Sequence, residues 1–231
     1  ARNCGIHWTT PDLGIISHKG STGNNLIMDY RYRTNLASFI YDPRDPDPGK
    51  RWKAAVYYYD KKVNPEPVRE GLYAHYSSDG FHWRRGDLLI PGMAEIPPGA
   101  GKPTSWPLTG IDDVSTVVWD TRLGKFVAWL KVWELTDGRF YRSRAMTVSD
   151  DFIHWAQPWA VLFADKLDPP GLQFYGMTGW SYESMWLGTI RTYHSATSHQ
   201  PVDFQLVSSR DGIHWARAAN SFLWTYSMAA T

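Results

Sequence analysis

Cysteine is almost absent from this 231-residue chain: the lone Cys4 excludes an internal disulfide and leaves the redox compartment open. An excess of one charge sign is missing too. The 24 basic and 23 acidic residues leave a net charge of +1, which removes the electrostatic case for nucleic acid or an anionic membrane as partner. No run approaches the roughly 18 apolar residues of a membrane span, and no signal peptide is visible. The absence of Asn-x-Ser/Thr argues against a eukaryotic secreted glycoprotein. There is no Gly-x-Ser-x-Gly elbow for acyl transfer, no Gly-rich phosphate loop and no close-set Cys/His metal motif. No segment shows a capped helical period, so the chain reads as all-β.

Aromatic residues are abundant, with 13 Trp, 13 Tyr and 9 Phe, and packed sheets account for most of them. The strongest signal is a repeat. It reads Ser77-Ser78-Asp79-Gly80-Phe81-His82-Trp83, then Ser149-Asp150-Asp151-Phe152-Ile153-His154-Trp155, then Ser209-Arg210-Asp211-Gly212-Ile213-His214-Trp215. A worn copy, Asn3-Cys4-Gly5-Ile6-His7-Trp8, opens the chain. Units of about 60 to 75 residues are too long for most helical solenoids. In each turn the Asp can accept backbone N–H groups as an Asx-turn, Gly80 and Gly212 relieve φ, and His and Trp are expected to pack between units. The identical place of the histidines in every copy marks them as scaffold rather than metal ligands.

Each unit contains four strand-like segments, the composition of a propeller blade. In the first they are Ala37–Asp42, Arg51–Tyr59, Leu72–Tyr76 and His82–Ile90. In the second they are Ser115–Asp120, Lys125–Trp133, Phe140–Val148 and His154–Phe163, and in the third Phe174–Tyr182, Met185–Tyr193, Val202–Ser208 and His214–Trp224. The expectation is one β-propeller domain of four-stranded antiparallel blades over about 20–92, 108–165 and 172–225, with 1–18 ending a preceding blade. Three blades and a fraction fall short of the four to eight that usually close a propeller, so the chain reads as a fragment of a five-bladed parent. Oligomerisation through open blade edges is the other way to cover them.

At these signatures the chain resembles the five-bladed β-propeller glycoside hydrolases, the broad group of families 43 and 32. The segment Ile111-Asp112-Asp113-Val114-Ser115-Thr116-Val117-Val118-Trp119-Asp120, followed by Gly124-Lys125-Phe126, is similar to the family's inner-strand pattern. The resemblance implies carboxylates projecting from inner-strand starts toward the axis, one a base or nucleophile and one an acid. Such a pair must flank the glycosidic bond, roughly 5 to 5.5 Å apart for retention and 6.5 to 9.5 Å for inversion. On this implication Asp113 or Asp112 is the catalytic carboxylate, strand alternation allowing only one to point inward. Glu183 is a weaker candidate for the acid, since it reads as a turn residue. Arg33, Asn24, Asn25, Asn35, Gln173 and Tyr175 become candidate sugar-binding residues. Arg44-Asp45-Pro46 resembles a family 32 motif but falls in a Pro-Asp-rich turn.

No cofactor is implied beyond a structural cation near the axis, for which His75 and His194 are candidate ligands if they are not ordinary hydrogen-bonded strand residues. The resemblance further implies a carbohydrate substrate and export from a bacterial cell. Two functions stay open: a glycosidase acting on a poly- or oligosaccharide, and a non-catalytic carbohydrate-binding propeller. A protein-interaction propeller of the WD40 kind ranks last, because the Gly-His and Trp-Asp spacing is missing.

Overall fold

The computed structural model describes residue 6 and residues 8–28, 31–59, 64–92, 110–136 and 139–226. Strands β1 (Thr34–Tyr41), β2 (Trp52–Tyr58), β3 (Gly71–Ser77) and β4 (Arg84–Pro91) form one antiparallel sheet in that order. A second sheet holds β5 (Asp112–Asp120), β6 (Lys125–Thr136), β7 (Arg139–Ser149) and β8 (Trp159–Leu162). The third holds β9 (Leu172–Tyr182), β10 (Met185–His194), β11 (Val202–Ser209) and β12 (Trp215–Tyr226). These are three propeller blades, the all-β architecture expected from the repeat. The worn copy at Asn3–Gly5 and His7 lies outside the described residues.

The first strands of the blades run side by side. The Val117 N–H donates to Ser38 Oγ across blades 1 and 2 (2.8 Å), and Thr116 Oγ1 donates to the Met177 carbonyl across blades 2 and 3 (2.8 Å). Thus β1, β5 and β9 start at a common end, called the upper end below, and their hairpins to β2, β6 and β10 close at the lower end.

Strand alternation builds the core. Along β6, Phe126, Ala128, Leu130 and Val132 face blade 1 and cluster with its Tyr57 and Leu72, together with Ile111 and Phe152 of blade 2. The intervening Val127 and Trp129 face blade 3 and meet Phe174, Met177, Trp186 and Ile190. Trp129 is fully buried, edge-on to Trp186 at a centroid distance of 5.4 Å. Much of the aromatic wealth is therefore interblade packing.

The repeated turns sit at the lower end, between third and fourth strands. In each, the Asp Oδ1 accepts two backbone N–H groups: Phe81 and His82 for Asp79, Ile153 and His154 for Asp151, Ile213 and His214 for Asp211. Those donors, with the His ring, hold Asp79 well below the usual carboxylate range. The histidines correct the expectation. They do not pack between blades: His82, His154 and His214 have side chains 71%, 86% and 87% exposed, each clasped by its own Asp through Nδ1. Only the tryptophans go inward, because the indole is apolar while the imidazole already has its partner in the turn. Trp155 packs on the blade 1–2 core and Trp215 on the blade 2–3 core. Gly80 and Gly212 take φ of 81° and 77°, and Phe152 takes 70° at the same place while fully buried.

Candidate functional site

The upper end of β5 carries the charge cluster. Pairing runs from Asp112↔Lys131 directly to Thr116↔Trp129, so β5 has extra residues relative to β6 across Asp113–Ser115. Such a bulge breaks alternation and re-aims side chains. Consequently Asp112 and Asp113 do not diverge as an uninterrupted strand would require: both carboxylates turn to the Lys131 ammonium. Asp112 Oδ2 lies 3.2 Å from Lys131 Nζ, and Asp113 Oδ1 accepts directly from it. Trp133, two residues along β6 on the same face, donates its indole N–H to Asp112 Oδ2 at 2.7 Å. Tyr59, at the end of β2 in blade 1, donates its hydroxyl to Asp113 Oδ2.

Burial alone would push the Asp113 carboxyl up. The Lys131 ammonium and the Tyr59 hydroxyl outweigh it and hold its pKa below the ordinary value. Burial and the hydrogen bond to Asp113 push Tyr59 up, so the phenol keeps its proton. A second tyrosine on that face, Tyr57, donates to Glu70 Oε1 at 2.6 Å and to the Ile111 carbonyl at 3.2 Å. Glu70 thereby joins the cluster from the loop before β3.

Below these carboxylates a cavity of about 540 Å³ opens where the inner strands meet. Asn35 lines it from β1, Val114–Thr116 from β5, and Thr178, Thr189 and Arg191 from blade 3. An aromatic and basic group of side chains adjoins the carboxylates on the blade 3 side. Arg142 lies 4.5 Å over the Trp133 ring and donates to Gln173 Oε1 at 2.6 Å. Lys131 lies 4.9 Å from the Tyr175 ring centre.

Asp112, Asp113, Asn35, Gln173 and Tyr175 are thus brought together, and Arg33 stands 4.9 Å over Tyr59 beside them. Other candidates fall elsewhere. Asn24 closes its own N-terminal loop, donating to the Ile16 carbonyl at 2.8 Å and accepting from the Leu26 N–H at 2.9 Å; Asn25 follows it, exposed. Glu183 occupies the β9–β10 turn at the lower end, with φ of 49°, remote from Asp113 by the length of the strand. Asp45 accepts from Lys53 at 2.6 Å in the lower β1–β2 connection, and Arg44 pairs with Asp42. That cluster pins a hairpin. His75 bonds Tyr58 at 2.9 Å within blade 1, its pKa lowered to about 4 by burial and Arg85. His194 bonds Asp203 at 2.7 Å in blade 3, so the two imidazoles do not meet. Among the described residues no group of three or more His, Cys, Asp or Glu is set to hold a metal ion.

Sequence reasoning missed Tyr59, Lys131, Trp133, Arg142, Glu70 and Arg191. A period-two signal was there for some: Tyr57-x-Tyr59 and Lys131-x-Trp133 each share a face. Glu70 sits in a loop, where no periodicity applies.

No family model matches the sequence, and no curated protein matches it either. Solved structures do match in shape. One is the sucrose-6-phosphate hydrolase of Lactobacillus gasseri, 12% identical over 79% of this chain and 33% of that one, TM-score 0.54. Another is an N-acetylgalactosamine deacetylase from F. plautii, 18% identical over 93% and 58%, TM-score 0.53. A third is a family 117 glycoside hydrolase of Zobellia galactanivorans, 14% identical over 86% and 60%, TM-score 0.54. The chain shares the β-propeller fold of these structures. It spans about a third to three-fifths of the length of these structures.

Proposed function

We propose that this chain is the carbohydrate-processing part of a glycoside hydrolase, acting on a poly- or oligosaccharide in the axial cavity. One observation carries the reading: an ionised Asp113, held so by Lys131 and Tyr59, directly precedes Val114–Thr116, which line a hollow shared with Asn35, Thr178, Thr189 and Arg191. Glycosidic cleavage needs one carboxylate ionised as base or nucleophile, and Asp113 suits that part. Asp112 orients it by accepting the Asp113 N–H at 2.7 Å. Tyr175, Trp133, Asn35, Arg33 and Gln173 offer ring faces and hydrogen-bonding groups to sugar.

The test is hydrolysis of a panel of aryl glycosides and oligosaccharides. Asp113→Asn should lower turnover by at least about 100-fold, the order expected when a base or nucleophile is removed. Full activity in the Asp112→Asn/Asp113→Asn double variant would remove the assignment.

A second reading, a carbohydrate-binding propeller without turnover, is favoured by the hydrogen bonding itself. Both Asp113 oxygens are already engaged, one by an ammonium and one by a phenol, which weakens a base. The shape matches include a deacetylase as well as glycosidases, so the fold does not choose the reaction. Saccharide binding that produces no cleavage and is unchanged by the double variant would select this reading.

A further inference from the structure

The cations of the axial site are not balanced by its carboxylates. Lys131 is matched by Asp112 and Asp113. Arg142, Arg144 and Arg191, which surround Tyr175, have no carboxylate partner among the described residues. Arg142 donates only to Gln173. Arg144, fully buried, donates to the carbonyls of Val114 (2.8 Å), Trp129 (3.2 Å) and Tyr175 (3.4 Å). The Arg191 side chain, 5.8 Å from the Tyr175 ring centre, makes no hydrogen bond and no ion pair among the described residues, although it lines the cavity. Buried or half-buried cations are ordinarily paired, because desolvation without a partner is costly. Burial, and then the nearby Arg191 charge, push the Arg144 guanidinium down, and the Asp112 and Asp113 charges offset this only in part.

The Arg191 guanidinium also has a built seat. It lies against Gly176, its cross-strand neighbour, where a Cβ would come within 2.2–2.5 Å of its terminal atoms. Beside it Thr178 and Thr189, opposite each other on β9 and β10, carry hydroxyls with no hydrogen bond among the described residues. A fixed guanidinium flanked by two free hydroxyls is a donor set for an oxyanion.

We propose that the axial cavity takes an acidic saccharide, whose oxyanion substituent (a uronic carboxylate or a sulfate ester) is read by Arg191, Thr178 and Thr189. The inference rests on the carbohydrate reading above and specifies the class of sugar. The ligand's negative charge supplies the partner that the arginines lack, and the guanidinium fork favours a planar or tetrahedral oxyanion over a hydroxyl.

The experiment is isothermal titration of the protein with four probes: an oligogalacturonate, its methyl ester, a sulfated galactan oligosaccharide and its desulfated counterpart. At least one acidic member should bind roughly 10- to 100-fold more tightly than its neutral counterpart, the range for hydrogen bonds to charged groups, and the preference should shrink with added salt. Whichever pair shows the preference identifies carboxylate or sulfate. In Arg191→Met the acidic-to-neutral ratio should fall to about one. In Gly176→Ala, which keeps the charge but displaces it from its seat, the ratio should also drop. Equal binding of acidic and neutral probes by the wild type would overturn this inference and leave the carbohydrate reading standing. A preference that persists in both variants would overturn it as well, since Arg191 would not be the reader. Failure of all four probes to bind would take down the carbohydrate reading together with it.

Discussion

Lys131→Met removes the one charge on which both carboxylates of the site converge. Lys131 is 3% exposed, so methionine can keep its apolar stem while the ammonium disappears. Asp112 and Asp113 would remain side by side, held only by Trp133, Tyr59 and the Asp113 amide. Breaking a buried ion pair from one side costs about 3–5 kcal/mol. The carboxylate side chains keep 21% and 15% exposure, so water recovers part of this, and a loss of roughly 2–3 kcal/mol at pH 7 is expected.

The pH dependence sharpens the test. In the wild type the folded pKa of Asp113 lies below its unfolded value. Its contribution is therefore complete above about pH 4 and is lost as pH falls through the folded value. In Lys131→Met, burial and the like charge of Asp112 act without the ammonium, so the folded pKa should rise above the unfolded one. That penalty is present at neutral pH and vanishes as the group protonates. Urea midpoints at pH 7, 5.5 and 4 should therefore show the gap between variant and wild type narrowing with acid. A gap under about 0.5 kcal/mol at pH 7, or one that stays constant with pH, would refute the account.

The inverted turn residue offers a second test. Phe152 is buried at φ 70°, so Phe152→Ala and Phe152→Gly both lose about 3–5 kcal/mol of packing, but only glycine relieves the left-handed backbone. Phe152→Gly should be the more stable of the two by about 1 kcal/mol in urea denaturation, and the opposite order would show that the backbone stores no strain there. Gly179 faces the Trp129 indole, where an added Cβ would stand 2.8 Å from the ring. Gly179→Ala should separate blades 2 and 3 at a cost of about 1–3 kcal/mol, visible as a lower melting temperature. An unchanged transition would mean that the interblade contact is looser than described.

Much of the fold was legible from period and punctuation. The three Ser-x-Asp turns mark the three four-stranded sheets of the described residues, and the strands proposed in each unit correspond to those observed, with ends shifted by up to about five residues. At the site, the Ile111–Asp120 segment led to Asp112 and Asp113, but not to their geometry. Alternation predicts divergence, and the bulge across Asp113–Ser115 cancels it. Glu183 failed as a partner because hairpin pairing sends it to the opposite end from Asp113. Lys131 and Arg144 look like solvent-facing strand cations in sequence, yet both are buried.

Local chemistry, which depends on residues a few positions apart, was enough to establish blades, their turns and their apolar faces. The meeting of Tyr59, Asp113, Lys131 and Tyr175 draws on four strands or strand ends from three blades. Charges and hydroxyls carry no periodic signature of their partners, because Coulomb and hydrogen-bond energies depend on distance in space rather than along the chain. Only the packed blades decided which carboxylates share Lys131 and which arginines have no ion-pair partner among the described residues.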